Sequence, residues 1–394
     1  MNLIVIPFHD WRKSESEGFR TRDVHLINAF AKLPQVEKVL VVNRPLTWLE
    51  LYYKKYNREL QGKRVIRQKK FELTEINEKL FVADCFSNDW LGALKDRQKW
   101  FFKAYGNAQY QEFLSQCLAH LGMDNPVLVT QNVFAYQLST RFPVKRKLFD
   151  AWDNFMKFPA YASIRPELKK AYLSSGEHID RWTTNSVENQ GLFAEEYSVK
   201  RIEVIKNGLN ISFVNSDLPK PKDLSEIPGT IIGFGGKLSY LVDVELVNKI
   251  TADHPEASFV FVGQILAKDV YANIIKRPNV HFLGDKHYSE YPAYVKSFDI
   301  CIVPYRINEG QHGGDSLKAY EYLSTGKKVV GTNGNGLQDL HEYLYLGMNP
   351  QEFSDMLKNT ENEKPMLNLE PHLWATKATT IIELMHETEE VPAV

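Results

Sequence analysis

The run Glu309-Gly310-Gln311-His312-Gly313-Gly314-Asp315-Ser316-Leu317-Lys318-Ala319-Tyr320-Glu321-Tyr322 brings glycines, a cation and a carboxylate close together in the chain. A flexible glycine loop leads from the apolar run Ile300–Pro304 into a helix, with Asp315 or Ser316 as its N-cap. The start of such a helix presents free N–H groups and a positive dipole, which suits a diphosphate. Lys318, in the first turn, adds a full charge. Glu321, three residues on and on the same face, can accept both hydroxyls of a ribose. A capped amphipathic helix with an exposed Lys–Glu pair would show the same spacing. A second glycine-rich run, Gly233-Phe234-Gly235-Gly236-Lys237, ends another strand. Its glycines let a ligand approach the backbone, and Lys237 supplies charge. It lacks the Gly-Lys-Ser/Thr spacing of a P-loop, and a plain turn would look alike. The third run, Pro278-Asn279-Val280-His281-Phe282-Leu283-Gly284-Asp285, is a strand entering a glycine turn.

The first half of the chain has its own polar clusters. Phe149-Asp150-Ala151-Trp152-Asp153-Asn154-Phe155 follows an apolar strand directly. Carboxylates at the carboxyl end of a strand, among aromatics, can be desolvated and act as a base on a hydroxyl. Asp153 is the first candidate for that base and Asp150 the second; the alternative is a pair of helix caps. His9-Asp10-Trp11 and Gly18-Phe19-Arg20-Thr21-Arg22-Asp23-Val24-His25 flank the first strand and helix. They put Asp10, Arg20, Arg22 and His25 near one strand edge as acceptor-side candidates, although ordinary loop polarity explains many such residues. Trp48–Lys70 and Lys99–Tyr105 mix basic and aromatic residues, as a headgroup-level membrane contact would or as a solvated charged face would.

Strand–helix alternation must position these groups. Strands are expected at Leu3–Ile6, Lys38–Val42, Leu80–Ala83, Val127–Thr130, Lys147–Phe149 and Arg181–Thr184, with helices at about 22–32, 91–121, 133–140, 166–175 and 187–196. After a proline-rich connector, 215–229, the alternation restarts at Thr230–Phe234. It continues through Ser258–Val262, Val280–Leu283, Ile300–Pro304 and Lys328–Gly331, with helices at about 242–252, 267–275, 290–297 and 316–325. Continuous apolar strands alternating with helices mean βαβ units and parallel sheets. The expected fold class is α/β, with two Rossmann-like domains, 1–207 and 208–370. A final helix at 371–387, within the segment 371–394, has no strand partner and is free to pack back on the first domain. Ligands sit outside the carboxyl ends of such strands, so two facing sheets would place the site in a cleft between them.

Composition narrows the function classes. The 394 residues include 48 Lys+Arg and 49 Asp+Glu, so a net charge of -1 argues against bulk nucleic-acid binding. Three cysteines, Cys85, Cys117 and Cys301, make no disulfide framework and lack metal-ligand spacing; no metal cluster and no cofactor are expected. No cationic region precedes the short apolar run Leu3–Ile6 and no stretch reaches ~18–20 apolar residues, so a cytoplasmic protein is expected.

Taken in chain order, these motifs resemble the GT-B glycosyltransferases, especially the family-4 (group 1) type and its relatives in bacterial polysaccharide synthesis. The resemblance rests on Gly233–Gly263, Asn279–Gly284, Phe298-Asp299-Ile300 and the run from Ser316 to Val330, and it covers almost the whole chain. It implies transfer of a sugar from a nucleotide diphosphate sugar to a hydroxyl of a glycan or glycolipid. Lys318 would meet phosphate and Glu321 ribose, with Ser316, Gly236 and Lys237 at the phosphates and Phe282 and Gly284 near the base. His312, Gly313, Gly314 and Asp315 would line the donor sugar. Asp150 and Asp153 resemble the Asp-x-x-Asp motif of related enzymes. The chain departs from the family where Gly313 stands eight before Glu321, a place many members fill with a second glutamate. Leu241 and Val242 also replace a usual second basic residue. Donor sugar and stereochemistry are therefore left open. The competing readings are a non-catalytic sugar- or nucleotide-binding module on the same fold and a GT-B sugar-nucleotide epimerase. A lipid-linked acceptor would give the basic-aromatic segments of the first domain a reason to touch the inner membrane face.

Overall fold

The computed structural model describes residues 1–307 and 314–386. The chain forms two compact units: Met1–Ile205 together with the chain from Trp374 on, and Lys206–Leu373.

The first unit is built on β1 (Asn2–Ile6), β2 (Lys38–Val42), β3 (Lys63–Arg67), β4 (Phe71–Glu75), β5 (Leu80–Ser87), β6 (Val127–Thr130), β7 (Lys147–Asp150), β8 (Arg181–Thr184) and β9 (Arg201–Val204). Their order across the sheet is β9-β8-β7-β6-β1-β2-β5-β4-β3. All pairs are parallel except β5–β4 and β4–β3. Ile4 lies between Leu40 and Leu128, and all three are buried. Helices cover both faces, which is why these strands can be apolar at every position rather than at alternate ones.

The second unit has six parallel strands: β10 (Ile231–Gly235), β11 (Ser258–Val262), β12 (Val280–Gly284), β13 (Ile300–Val303), β14 (Lys328–Thr332) and β15 (Tyr345–Gly347). They run in the order β12-β11-β10-β13-β14-β15. Numbered within the unit this is 3-2-1-4-5-6, the Rossmann order, and the strand order reverses between β10 and β13. The parallel strands of the first unit have the same order, reversing between β1 and β6, with β9 added at one edge. In each unit the crevice for a ligand therefore opens at that reversal.

Some expectations change. The basic stretch Trp48–Lys70 contains β3, which pairs with β4 as an antiparallel hairpin, while Arg58 pairs with Glu72 at 2.6 Å. The single helix expected over 91–121 is three: Trp90–Asp96, Trp100–Tyr105 and Ala108–Leu121. Arg97 takes a left-handed φ of 49° between the first two. Asn107 recaps the third, accepting from the backbone N–H groups of Gln109 and Tyr110. The β15 strand and the helix Pro350–Asp355 that follows it were not expected. The last helix starts at Trp374 and belongs to the first unit. There Trp374 stacks on His25 of the helix Arg22–Lys32, with centroids 5.3 Å apart, and Arg146 donates to the Met385 carbonyl at 2.9 Å. The three cysteines are free and buried. Among the described residues no helix is long and apolar enough to cross a membrane.

Candidate functional site

At the carboxyl end of β10 the backbone turns through Gly236, whose φ is +148°. A Cβ there would stand 2.7 Å from Lys318 Cε, so the glycine lets the lysine side chain lie against the loop. Gly263, after β11, has the same φ, and a Cβ on it would stand 2.0 Å from the Gly236 carbonyl oxygen. Two adjacent strand ends thus meet backbone to backbone, an approach open only to glycine. The helix Leu317–Leu323 packs beneath them. Tyr322 fixes it there, accepting from the Gly235 N–H at 2.7 Å and donating to the Gly235 carbonyl at 2.9 Å.

Lys318 Nζ donates to the Tyr305 hydroxyl and stands 4.8 Å from that ring's centroid and 5.5 Å from Phe234's. Lys237 is half-buried on the β10 loop itself. Glu321 is only 2% exposed and accepts from the Tyr288 hydroxyl at 2.6 Å. Burial pushes its carboxyl up to about 7, against the opposing pull of the Tyr288 hydrogen bond and the Lys318 charge. The structure thus brings Gly236, Lys318 and Glu321 to one strand-end corner.

The remaining candidates of this unit are placed differently. Ser316 caps the helix by position, but its side chain makes no capping bond. Asp315 is engaged: its carboxylate accepts from the Asn207 N–H at 2.6 Å and from the Tyr320 hydroxyl at 3.0 Å, which ties down the start of the helix. Gly314 is buried, its carbonyl 2.7 Å from where a Cβ on Gly336 would be. His312 and Gly313 lie outside the described residues. Phe282 stacks on Phe261 at 5.1 Å and meets Tyr271 edge to face at 4.9 Å, while Gly284 is exposed with φ +74°. Tyr288 and Tyr305, the direct partners of Glu321 and Lys318, were not found from the sequence. Each is a single tyrosine just past a strand, a position without periodic or motif signal. The Asn333-Gly334-Asn335-Gly336 run beside Gly314 was likewise not singled out, since it carries no titratable group.

In the first unit a pocket of about 720 Å³, counted with its open mouth, lies at the ends of β1, β2 and β6. Aromatics (Phe8, Phe101, Phe134, Tyr161) form part of its wall, and Lys13, Arg44, Glu50 and Lys54 add charge. Arg44 is clamped, donating to Glu50 at 2.5 Å over the Phe101 ring. Asp10 also lines the pocket. It is 2% exposed, its Oδ1 caps the helix Trp11–Glu17 through the Lys13 N–H, and its Oδ2 has no donor among the described residues. Burial raises its carboxyl, while Arg44 and Arg12 pull it down.

Other expected acceptor-side groups turn inward. Arg22 forms a two-point ion pair with Asp150, at 2.8 and 3.0 Å, and both are buried. Gln131 and Thr183 add donors to Asp150 at 2.9 and 2.8 Å, so both its oxygens are engaged and solvent does not reach it. This corrects the expectation for Asp150: its surroundings are those of an anchor joining β7 to the first helices. His25 is corrected likewise, lying 2% exposed under Trp374, with burial pushing its imidazole down to about 4. Arg20 is half-buried and paired with Glu17 at 2.9 Å. Asp153 is 6% exposed, and its carbonyl accepts from the Tyr172 hydroxyl at 3.3 Å. Of the basic-aromatic run Lys99–Tyr105, Trp100, Phe102 and Tyr105 point into the core.

Residues 237–360 match the family model described as glycosyl transferases group 1. The chain is 28% identical over 162 residues to a putative teichuronic acid biosynthesis glycosyltransferase, TuaH, of Bacillus subtilis (strain 168). The match spans 39% of this chain and 41% of that one, so it covers less than half of the curated relative. Among solved structures, OtsA without ligand superposes with a TM-score of 0.67 at 12% identity, covering 98% of this chain and all of the other. Sucrose-phosphate synthase from Thermosynechococcus elongatus gives 0.62 at 13% identity, covering 98% and 94%. At such identities the likeness is one of fold, and that fold is the GT-B pair of Rossmann-like units.

Proposed function

Because the chain carries a group 1 glycosyltransferase domain, we propose that it moves a sugar from a nucleoside diphosphate sugar to a hydroxyl of a glycan or glycolipid in bacterial surface polysaccharide synthesis. One observation carries this reading. Lys318, inside the matched segment, lies against Gly236, the residue just before that segment, at the strand-order reversal, and the buried Glu321 lies on the same short helix. The lysines Lys237 and Lys318 would stabilise the charge that develops on the leaving diphosphate. Glu321 would exchange its Tyr288 partner for the ribose hydroxyls. On the acceptor side, the aromatic and charged pocket of the first unit suits a sugar ring, whose apolar faces stack while its hydroxyls bond. The direct test is release of nucleoside diphosphate from a panel of uridine and guanosine diphosphate sugars, with and without glycan acceptors. Release that depends on acceptor supports transfer. Nucleotide binding without turnover of any donor would leave a binding module, and interconversion of the donor sugar would leave an epimerase.

A membrane-borne acceptor is supported by a patch of the first unit. The helix Trp90–Asp96 buries none of its residues and exposes Trp90, Leu91 and Leu94. Leu46–Thr47 pairs with Phe86–Ser87, so this helix and the helix Trp48–Lys54, with exposed Tyr52 and Tyr53, leave neighbouring strand ends. Lys54, Lys55 and Lys95 flank these apolar groups. Each cation near an anionic leaflet contributes about 1 kcal/mol, and the attraction fades within a Debye length of about 8 Å. Flotation on anionic vesicles that weakens with salt, and not on neutral ones, is the expected result. Equal recovery on both would mean the patch has another role.

A further inference from the structure

Most charges at the ligand edge of the first unit are spent on each other, and several that are not line its pocket. Arg44 enters from the loop after β2, its guanidinium 4.8 Å from the centroid of the Phe101 ring. One N–H of the fork donates to Glu50 at 2.5 Å, and among the described residues nothing accepts from the rest. Lys54, at the end of the helix Trp48–Lys54, is exposed and has no acceptor among the described residues. Lys13 is half-buried and stands 3.9 Å from Glu17, beyond hydrogen-bond reach, while Arg20 holds the other oxygen of Glu17 at 2.9 Å. Two carboxylates face these three cations across the pocket wall: Glu50, which Arg44 already balances, and Asp10. The wall therefore carries an excess of positive charge. Asp10 adds a different demand, because its buried Oδ2 has no donor and calls for a hydroxyl.

We infer that the pocket of the first unit selects a sugar that carries an oxyanion, a uronate carboxylate or a phosphate, over a neutral sugar. Calling that sugar the acceptor rests on the glycosyl-transfer reading above; the selectivity itself rests on the wall. A planar guanidinium with uncommitted N–H groups matches a carboxylate or phosphate at two points, which a single hydroxyl cannot do. Lys13 and Lys54 add charge without fixed geometry, so they attract the anion and Arg44 orients it. The hydroxyl that Asp10 requires and the ring faces of Phe101, Phe134 and Tyr161 fit the remainder of a sugar. A neutral sugar would leave the Arg44 fork unmatched. An inorganic anion would leave the aromatic wall unused and Asp10 facing a like charge. One ligand class meets all three demands.

Calorimetry on the full chain at neutral pH tests this with three probes: methyl glucoside, methyl glucuronide and methyl glucoside 6-phosphate. At least one of the two anionic sugars should bind about 10–100-fold more tightly than the neutral one, and which of them does so names the anion. Added salt should narrow the gap, since the two lysines lie toward solvent. Arg44→Gln should abolish most of the preference. Lys13→Ala and Lys54→Ala should each reduce it about 2–5-fold, and they carry the test if Arg44→Gln does not fold, because neither lysine is buried. Equal binding of all three sugars, tighter binding of the glucoside, or binding of none at millimolar concentration overturns the inference. A preference that survives unaltered in every pocket variant also overturns it, because the anion then sits elsewhere on the chain. The transfer reading fails separately. Turnover of a donor onto neutral acceptors alone would sink the selectivity and leave transfer standing. Selective anion binding without turnover of any donor would uphold the selectivity and leave only a binding pocket.

Discussion

The two sheets share a strand order but furnish their ligand edges in opposite ways. In the second unit the reversal edge is opened by glycines: Gly236 and Gly263 both take φ +148°, and Lys318 lies over the gap. In the first unit the corresponding edge is filled with side chains, and its charges are largely paired: Arg22 with Asp150, Arg12 with Asp84, Arg44 with Glu50 and His9 with Asp23. The same topology therefore supplies a crevice twice. Backbone exposure suits one edge to a phosphate, whereas wall chemistry suits the other to a sugar.

The largest expected contrast is between ion pairs that hold the fold and charges that hold a ligand. Arg22→Ala leaves Asp150 buried without its cation and should cost about 3–5 kcal/mol of stability, read as a lowered denaturation midpoint. A loss below 1 kcal/mol would mean that solvent reaches the pair and that Asp150 is open to a substrate. Gly263→Ala comes next. Its methyl would meet the Gly236 carbonyl at 2.0 Å, so a loss of about 1–3 kcal/mol is expected, together with weakened nucleotide binding as the two strand ends separate. Unchanged nucleotide affinity in a folded Gly263→Ala would detach that corner from the site. Lys318→Ala should weaken binding of a nucleoside diphosphate by roughly 1.5–3 kcal/mol in calorimetry, with little effect on the melting temperature. The reverse pattern would make Lys318 a packing residue like Arg22.

The smallest effect is one of pH. Glu321, normally near 4.5, is pushed by burial to about 7, so the folded chain holds a proton there that the unfolded chain has lost. Its contribution to stability is therefore greatest below about pH 4.5 and falls as pH rises toward 7. Ribose hydroxyls need the ionised carboxylate, so nucleotide affinity should rise about tenfold at most between pH 6 and 8, as the group ionises. Glu321→Gln should remove that slope; a slope that persists would have to come from another group.

Much of the frame is visible in the residues themselves. Ile300–Val303 and Val127–Thr130 are short apolar runs between helical stretches, and burial on both faces is enough to make them parallel strands. The neighbourhood of Lys318 and Glu321 was legible because glycines, a cap and a two-turn helix are local features. The long helix expected over 91–121 was not, because its breaks lie at Arg97 and Gly106-Asn107, where backbone angle and recapping decide and average propensity does not.

The residues alone determined two α/β units, the strand ends that carry chemistry, and a cation and carboxylate one turn apart on a short helix. Tertiary structure decided which charges are spent on each other. Asp150 and Asp153 are three residues apart and alike in sequence, yet Asp150 is the one held by a buried two-point pair with Gln131 and Thr183 beside it, its Arg22 partner coming from 128 positions earlier. His9 and Asp23 become a dyad because the helix Arg22–Lys32 packs beside the end of β1. Such pairings depend on distances across the fold, and burial then raises the cost of leaving either partner alone.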